Sequence, residues 1–333
     1  MNKNKSINAP GLKYIILMFL ITGLSIIAYI YWYSKVSQSS KNYLVNYLNK
    51  FNNQDIYIEW DNIKTDGFPY RIEHNLNNIK VKFYNTILET SSIKLINQPW
   101  KLNHFLIKLE NNITINYDKT SIKLSNNNLI SSLIIEENLN KRISIQSDII
   151  NLDFKNESIK LIDPEFHFRE SNNLNDEAFL YAKKILLKNK NDIKLNDIKI
   201  HTNVLNLKKI NIRNLINWST SGGGIDIKDF YIIIDNNPLR LNGFISLDKN
   251  LHILSSLSIQ GKGIENLLEI FNKYNIINSD IYKASNLIIK TINISSKLID
   301  KEPIYTINSQ NGNLTFMKIK LLELPNLQYY LNN

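Results

Sequence analysis

The chain has no cysteine among its 333 residues. That excludes disulfides, thiolate metal sites and cysteine nucleophiles. It is compatible with an oxidising compartment without requiring one. Glycine and proline are scarce, at 10 and 7 residues. Ile, Asn, Lys and Leu dominate instead, a bias that an AT-rich genome produces, so the Asn tracts and the lysine count carry no functional weight alone. With 43% hydrophobic residues, the chain can bury a sizeable core, and global disorder is excluded. Charge is missing from one place. Residues 14–32 read YIILMFLITGLSIIAYIYW, with no ionisable acid or base of the Asp, Glu, Lys or Arg type.

As a helix that run spans roughly 28 Å, close to the ~30 Å hydrocarbon core of a bilayer. It is longer than the ~7–15 residues of a signal-peptide core. No A-x-A site follows, and Ser37 and Ser39 offer only a small-x-small pair. The run reads as an uncleaved signal anchor. Tyr29, Tyr31, Trp32 and Tyr33 form an aromatic belt at its far end. The net charge of +10 raises nucleic acid as a partner, but its distribution argues against that. Lys3, Lys5, Lys13, Lys35, Lys41 and Lys50 all lie in residues 1–50, which hold no acid. Taking these six from the 40 basic residues leaves 34 against 30 acidic ones. The excess sits around the anchor, where cations meet anionic headgroups. A short basic tail before a first apolar segment places the N-terminus in the cytoplasm and the rest outside.

After the anchor, Leu44, Tyr47, Leu48 and Phe51 recur at helical spacing. From Ile56 the period becomes two. Gly67 and Pro69, in GFPYR, mark a turn between strands. Short alternating runs follow, such as 79–83, 93–96, 113–117, 159–162 and 166–168, separated by Asn, Asp, Ser and Lys clusters. No helix-length segment intervenes, so the pattern predicts an antiparallel meander and not βαβ units. Residues 176–190 fit helix or strand, and a strand over 179–187 is favoured. Strands are also expected over 193–195, 198–201, 225–227, 230–234, 239–247 and 251–260. Two helices are expected over 263–274 and 280–291, with Ser279 as the cap of the second. Final strands cover 305–309 and 313–318.

No catalytic, cofactor or metal site emerges. His74, His104, His167, His201 and His252 lack metal-ligand spacing, and no HExxH is present. Gly222-Gly223-Gly224 lacks the Lys-Ser/Thr of a phosphate loop and precedes a strand. Glu136-Glu137 and Asp61/Asp66 pair only in sequence, and there is no G-x-S-x-G elbow. What remains is a distributed signal: many strands with one apolar row. That is an ordinary sandwich core, or else a long curved sheet whose apolar face stays open as a groove for acyl chains.

Four segments resemble a bacterial family catalogued as domain of unknown function 2125, whose members are membrane-anchored envelope proteins. They are Trp60 followed by Gly67-Phe68-Pro69-Tyr70-Arg71; Trp218 with Gly222 and Gly223; Leu241 to Asp248 around Gly243; and Gly312 running to Pro325. In the last part this chain has Lys318 and residues 321–323 where the family carries more glycine. The resemblance implies no catalytic residue. Its strand-glycine-strand pattern looks like that of AsmA-type envelope proteins, which implies a β-rich groove concerned with lipid.

The expected organisation is a cytoplasmic tail (1–13), a transmembrane anchor (14–33), a juxtamembrane helix (34–53) and an extracytoplasmic β-rich domain (54–333). The expected fold is mostly β, a long curved antiparallel sheet plus two C-terminal helices behind a transmembrane helix. The expected place is the inner membrane, single-pass, with the bulk periplasmic. The expected partners are the bilayer through 14–33, with phospholipid or other envelope proteins, and no nucleic acid. A closed-core scaffold and a membrane-anchored hydrolase are the alternatives.

Overall fold

The computed structural model describes residues 10–52, 56–109, 112–117, 120–136, 140–154, 157–171, 175–188, 193–207, 215–298 and 300–327. Lys3, Lys5 and Glu137 lie outside the described residues. Helix α1 spans Pro10–Phe51. Then come β1 (Ile56–Glu59), β2 (Asn62–Asp66), β3 (Ile72–Phe83), β4 (Thr86–Gln98), β5 (Lys101–Leu109), β6 (Ile113–Tyr117), β7 (Thr120–Asn127), β8 (Leu129–Ile135), β9 (Lys141–Gln146), β10 (Ile149–Asp153), β11 (Ser158–Arg169), β12 (Asn175–Lys188) and β13 (Ile193–Leu205). A short helix α2 (Leu215–Thr220) precedes β14 (Gly224–Ile234), β15 (Asn237–Leu247) and β16 (Ile253–Gln260). Helices α3 (Gly263–Lys273) and α4 (Ser279–Leu298) precede β17 (Ile304–Gln310), β18 (Asn313–Phe316) and β19 (Ile319–Glu323).

The nineteen strands of the described residues join one antiparallel sheet. Four passes of the chain are each made of two collinear strands: β1 with β2 against β3, β5 with β6 against β4, β7 with β8, and β9 with β10 against β11. The sheet is therefore fifteen passes wide, each paired with its predecessor in the chain. At about 4.8 Å per pass that is roughly 65 Å along the sheet.

Side chains of a strand alternate faces, so a change of apolar parity sends half of them to the wrong side. Such a change occurs in almost every pass from β3 to β14. Leu76 and Ile79 are both buried, with Asn78 between them at φ 51°. Leu161 and Phe166 flank Asp163 (φ 48°), Leu195 and Ile198 flank Asp197 (φ 47°), and Leu124 and Leu129 flank Asn128 (φ 55°). A left-handed residue inserted in a strand bends it and resets the alternation. The result is visible in the core. Ile185 and Leu195 on one side of the bend, and Ala182, Ile198 and Ile200 on the other, pack into one cluster with α3 and α4. Asn and Asp enter the left-handed region more readily than other non-glycine residues. The bends line up into a polar crease. Asn78 donates to Asp61 at 2.6 Å, Asn128 donates to Asp148 at 2.7 Å, and the Asp163 N–H donates to the Asp148 carbonyl at 2.8 Å.

Beside the crease, one row of directly opposed residues crosses thirteen passes. It runs Thr65, His74, Leu95, Ile107, Ser131, Ile145, Phe166, Leu180, Ile200, Phe230, Leu241, Ile259, Tyr305. Opposed residues share a face. α1 covers the start of this row, since Ser40 bonds His74. α3 and α4 cover its end, where Ile264, Leu268 and Ile289 are buried with Ile259 and Tyr305. Tyr305 also donates to Asn293 of α4 at 2.6 Å. All three long helices therefore sit on the same face of one sheet.

The meander, the strand over 179–187 and the C-terminal helices follow the sequence reading. Four details differ. The expected breaks at 163, 197 and 228–229 fall inside single strands. The uncharged run and the following amphipathic segment form one continuous helix, 42 residues or about 63 Å long. The cap of α4 is Asn278, whose Oδ1 accepts the Ile281 N–H at 2.8 Å, and not Ser279. The expected strand over 313–318 ends at Phe316, turns through Met317 and Lys318, both at positive φ, and returns as β19.

The crease makes a prediction. Asp197→Gly keeps the left-handed geometry and leaves stability nearly unchanged. Asp197→Val forces a β-branched residue into it and costs about 1–3 kcal/mol. Urea unfolding of the two variants in detergent checks this, and equal effects would contradict it.

Candidate functional site

The apolar face is sealed at both ends of the row and not in its middle. His74, Ile259 and Tyr305 are buried, whereas Leu95, Ile107, Ile145 and Phe166 are half-buried and Leu180 is 37% exposed. On the other side of the crease a second row crosses eight passes: Ile79, Thr90, Ile113, Leu124, Leu152, Ile159, Leu187, Ile193. Its first three members are buried beside α1 and the rest are half-buried. α1 runs beside the first passes, where Asn49 and Asn52 share a cleft with Asn112 and Thr114; α3 packs on β14 and β15 and α4 on β19; and the described strands belong to one sheet. Where α1 ends, its Asn49 and the following Asn52 border an open cleft of about 1010 Å³, which also takes in Trp60, Ile79, Lys80, Glu89 and Thr90.

The other end of α1's contact is a junction with the turn between β2 and β3. Tyr29 donates to the Pro69 carbonyl, and Tyr33 donates to the Arg71 carbonyl at 2.9 Å. The Phe68 ring meets Tyr33 edge-on at 5.0 Å. Gly67 sits at φ 103°, and a Cβ there would lie 2.5 Å from the Arg71 carbonyl, so only glycine closes this turn. Further along the helix, His74 lies between Ser40 (Nε2, 2.9 Å) and Thr65 (Nδ1, 3.0 Å). Burial, with Lys41 nearby, pushes its pKa down from 6.5 to about 4.

The family-motif residues fall in separate places. Trp60 joins β1 to β2 at the crease. Gly67, Phe68, Pro69 and Arg71 form the α1 junction. Trp218 is buried in α2, where its indole donates to the Leu205 carbonyl at 2.9 Å; the Gly223 N–H donates to the Trp218 carbonyl, and Gly222 completes the turn. Gly243 lies against β16, where a Cβ would come within 2.2 Å of the Ser256 carbonyl. Asp248 takes the N–H groups of Asn250 and His252, each at 2.8 Å, and faces the His252 ring at 3.2 Å. Burial raises its carboxyl pKa, but these donors outweigh that and hold it below the usual range. Gly312 accepts the Leu324 N–H at 2.7 Å just before Pro325, and Asn326 then donates to the Asn250 carbonyl. These bonds fasten turns and edges, and they do not converge on a cavity.

A family model described as an uncharacterised protein conserved in bacteria, DUF2125, matches residues 46–325. The chain belongs to the DUF2125 family. Neither a curated protein nor a solved structure matches it. The DUF2125 segment takes in the whole sheet and the turn that holds α1. It leaves out the apolar run itself.

Within the DUF2125 segment His74, His104, His167 and His201 lie in strands β3, β5, β11 and β13. His74 is buried at the α1 junction. His252 precedes β16 and does not lie within a strand. The row Leu106, Ser132, Ser144, His167, Phe179, His201, Asp229 crosses the opposite, polar face. There His104 and His167 pair with the hydroxyls of Ser132 and Ser144 at 2.9 and 3.0 Å. Asp61 is engaged with Asn78, and Glu136 with Arg142 at 2.9 Å. Among the described residues no three His, Asp or Glu side chains are grouped to hold a metal. The residues that the sequence did not single out are Ile107, Ile145, Phe166 and Leu180. Their signal was the apolar alternation of the expected strands, such as 166–168 and 179–187, which does not say which strands share a face.

The junction predicts a pH dependence. His74 is neutral in both states above pH 6.5. Between pH 6.5 and 4 the unfolded chain binds its proton and the folded chain does not, so stability falls with pH, by about 3 kcal/mol in all. His74→Gln keeps both hydroxyl partners and removes the titration. Melting temperatures of the two proteins should therefore converge as pH drops from 6.5 to 4, and a constant gap would contradict this.

Proposed function

We propose that the protein is a single-pass, membrane-anchored envelope protein whose uncovered apolar face holds lipid acyl chains. The carrying observation is that face, half-buried between α1 and the α3–α4 pair. Apolar surface of this extent is costly in water unless something covers it. Leu95 to Leu180 spans six passes, about 24 Å, longer than the ~15 Å that one leaflet's chains occupy. From Leu95 to Leu180 the row is Leu, Ile, Ser131, Ile, Phe and Leu, with no Asp, Glu, Lys or Arg, which suits acyl chains better than a charged substrate. The apolar half of α1 has the length and composition to cross a bilayer. The short basic tail ahead of the span, with Lys3, Lys5 and Lys13, suits a cytoplasmic N-terminus, an inner-membrane location and a sheet on the periplasmic side, although Lys35, Lys41 and Lys50 follow the span. This reading agrees with the AsmA-like resemblance and gives the protein a part in envelope upkeep without catalysis.

Native mass spectrometry of the full-length protein released from bilayers tests the reading. Wild-type protein carries phospholipid adducts. Phe166→Arg places a charge in the middle of the face without removing a buried contact, and it lowers adduct occupancy severalfold. Adducts that are absent, or unchanged in the variant, would leave only lipid around the span and would overturn the proposal. Co-release of another envelope protein in place of lipid would favour the scaffold.

A further inference from the structure

The β2–β3 turn is attached to α1 at a particular height. Tyr29 and Tyr33, which bond Pro69 and Arg71, occupy the last turn of the uncharged run; the first cation beyond it is Lys35. Phe68 packs on the same turn, its ring 6.2 Å from Tyr29 and 5.0 Å from Tyr33. Whatever height those tyrosines hold, the 67–71 turn holds too. Yet Phe68 is 53% and Tyr70 74% exposed.

The neighbouring turn on the same edge repeats the pattern. Ile72 opposes Asn97, and Gln98 opposes Lys101, so the β4–β5 turn lies two passes away, about 10 Å. It exposes Trp100 at 59% and Leu102 at 43%. Arg71, which is paired with Glu73, and Lys101 flank these side chains and are exposed. Aromatic rings with nearby cations are what the headgroup layer accommodates. The opposite edge also exposes aromatics, Phe83, Tyr84 and Tyr117. It lies a strand length away, about 40 Å for the 12 residues of β3, and has no contact with the apolar run. Exposure alone thus does not single out the first edge; its attachment to α1 does.

We propose that the edge formed by residues 67–71 and 98–102 is seated in the headgroup layer of the bilayer that α1 spans, with Phe68, Tyr70 and Trp100 immersed. The proposal rests on α1 being a membrane span. It fixes how the sheet stands: the passes nearest α1 rise from the lipid surface, and the apolar rows begin beside it. The partner is the leaflet itself and no separate protein.

The native absence of cysteine allows a direct test. Tyr70→Cys, Trp100→Cys, Tyr84→Cys and Ile27→Cys each change an exposed side chain, so folding is retained. Each full-length variant is labelled with an environment-sensitive fluorophore. It is then reconstituted into phosphatidylethanolamine–phosphatidylglycerol vesicles carrying nitroxide lipids. The expected result is blue-shifted emission and loss of most fluorescence to the nitroxide at positions 70, 100 and 27, with neither at 84. Water-like, unquenched signals at 70 and 100 beside a quenched 27 would overturn the seated edge and leave the anchor standing. An unquenched 27 would overturn the anchor, and the proposal with it.

Discussion

The alternation of side chains along a strand is the constraint on which this molecule depends. A straight 12-residue strand with the sequence of β11 would put Leu161 and Phe166 on opposite faces. A flat sheet built from such strands would have apolar surface on both sides and no place for its helices. The crease resolves this. At Asn78, Asn128, Asp163 and Asp197 the backbone takes a left-handed step, the alternation restarts, and both halves of the pass present their apolar side chains to one face. That face can then be covered by α1 at one end and by α3 and α4 at the other.

The same arrangement sets the stability and the opening. Covered ends bury Ile72, Ile259, Ile264, Leu268, Ile289 and Phe316 almost completely, and each contributes on the order of 2 kcal/mol by burial. The middle has no such cover, and its residues stay half-buried. Every described strand belongs to one sheet. The uncovered passes follow from how the chain spends its helices, one before the meander and two near its end.

Much of this was legible in the residues. The uncharged run, the period-two pattern and the amphipathic 263–274 segment each have a direct physical signature, and each appears in the structure; the short α2 between β13 and β14 was not read from the residues. The crease was not legible as such. Asn and Asp at 78, 128, 163 and 197 carry the same local chemistry whether they end a strand or bend it, and only the opposing strand decides which. The continuity of α1 was not read from the residues, because the change from an uncharged run to an amphipathic one divides 14–33 from 34–53 by composition and not by a helix break. In the structure Ser40 reaches His74, and that packing carries the helix onward. The family motifs were visible, but their places show turn-closing and capping contacts; the apolar middle has no motif, because any large aliphatic side chain serves there.

Phe166 and His167 are adjacent in the chain and lie on opposite faces of the sheet, which makes them the sharpest probe of the central claim. A photo-crosslinking amino acid placed at each position in turn, in full-length protein held in its native membrane, reads which face meets lipid. The account predicts phospholipid adducts from position 166 and none from 167. Equal lipid labelling at both positions, or protein adducts alone at 166, would contradict it.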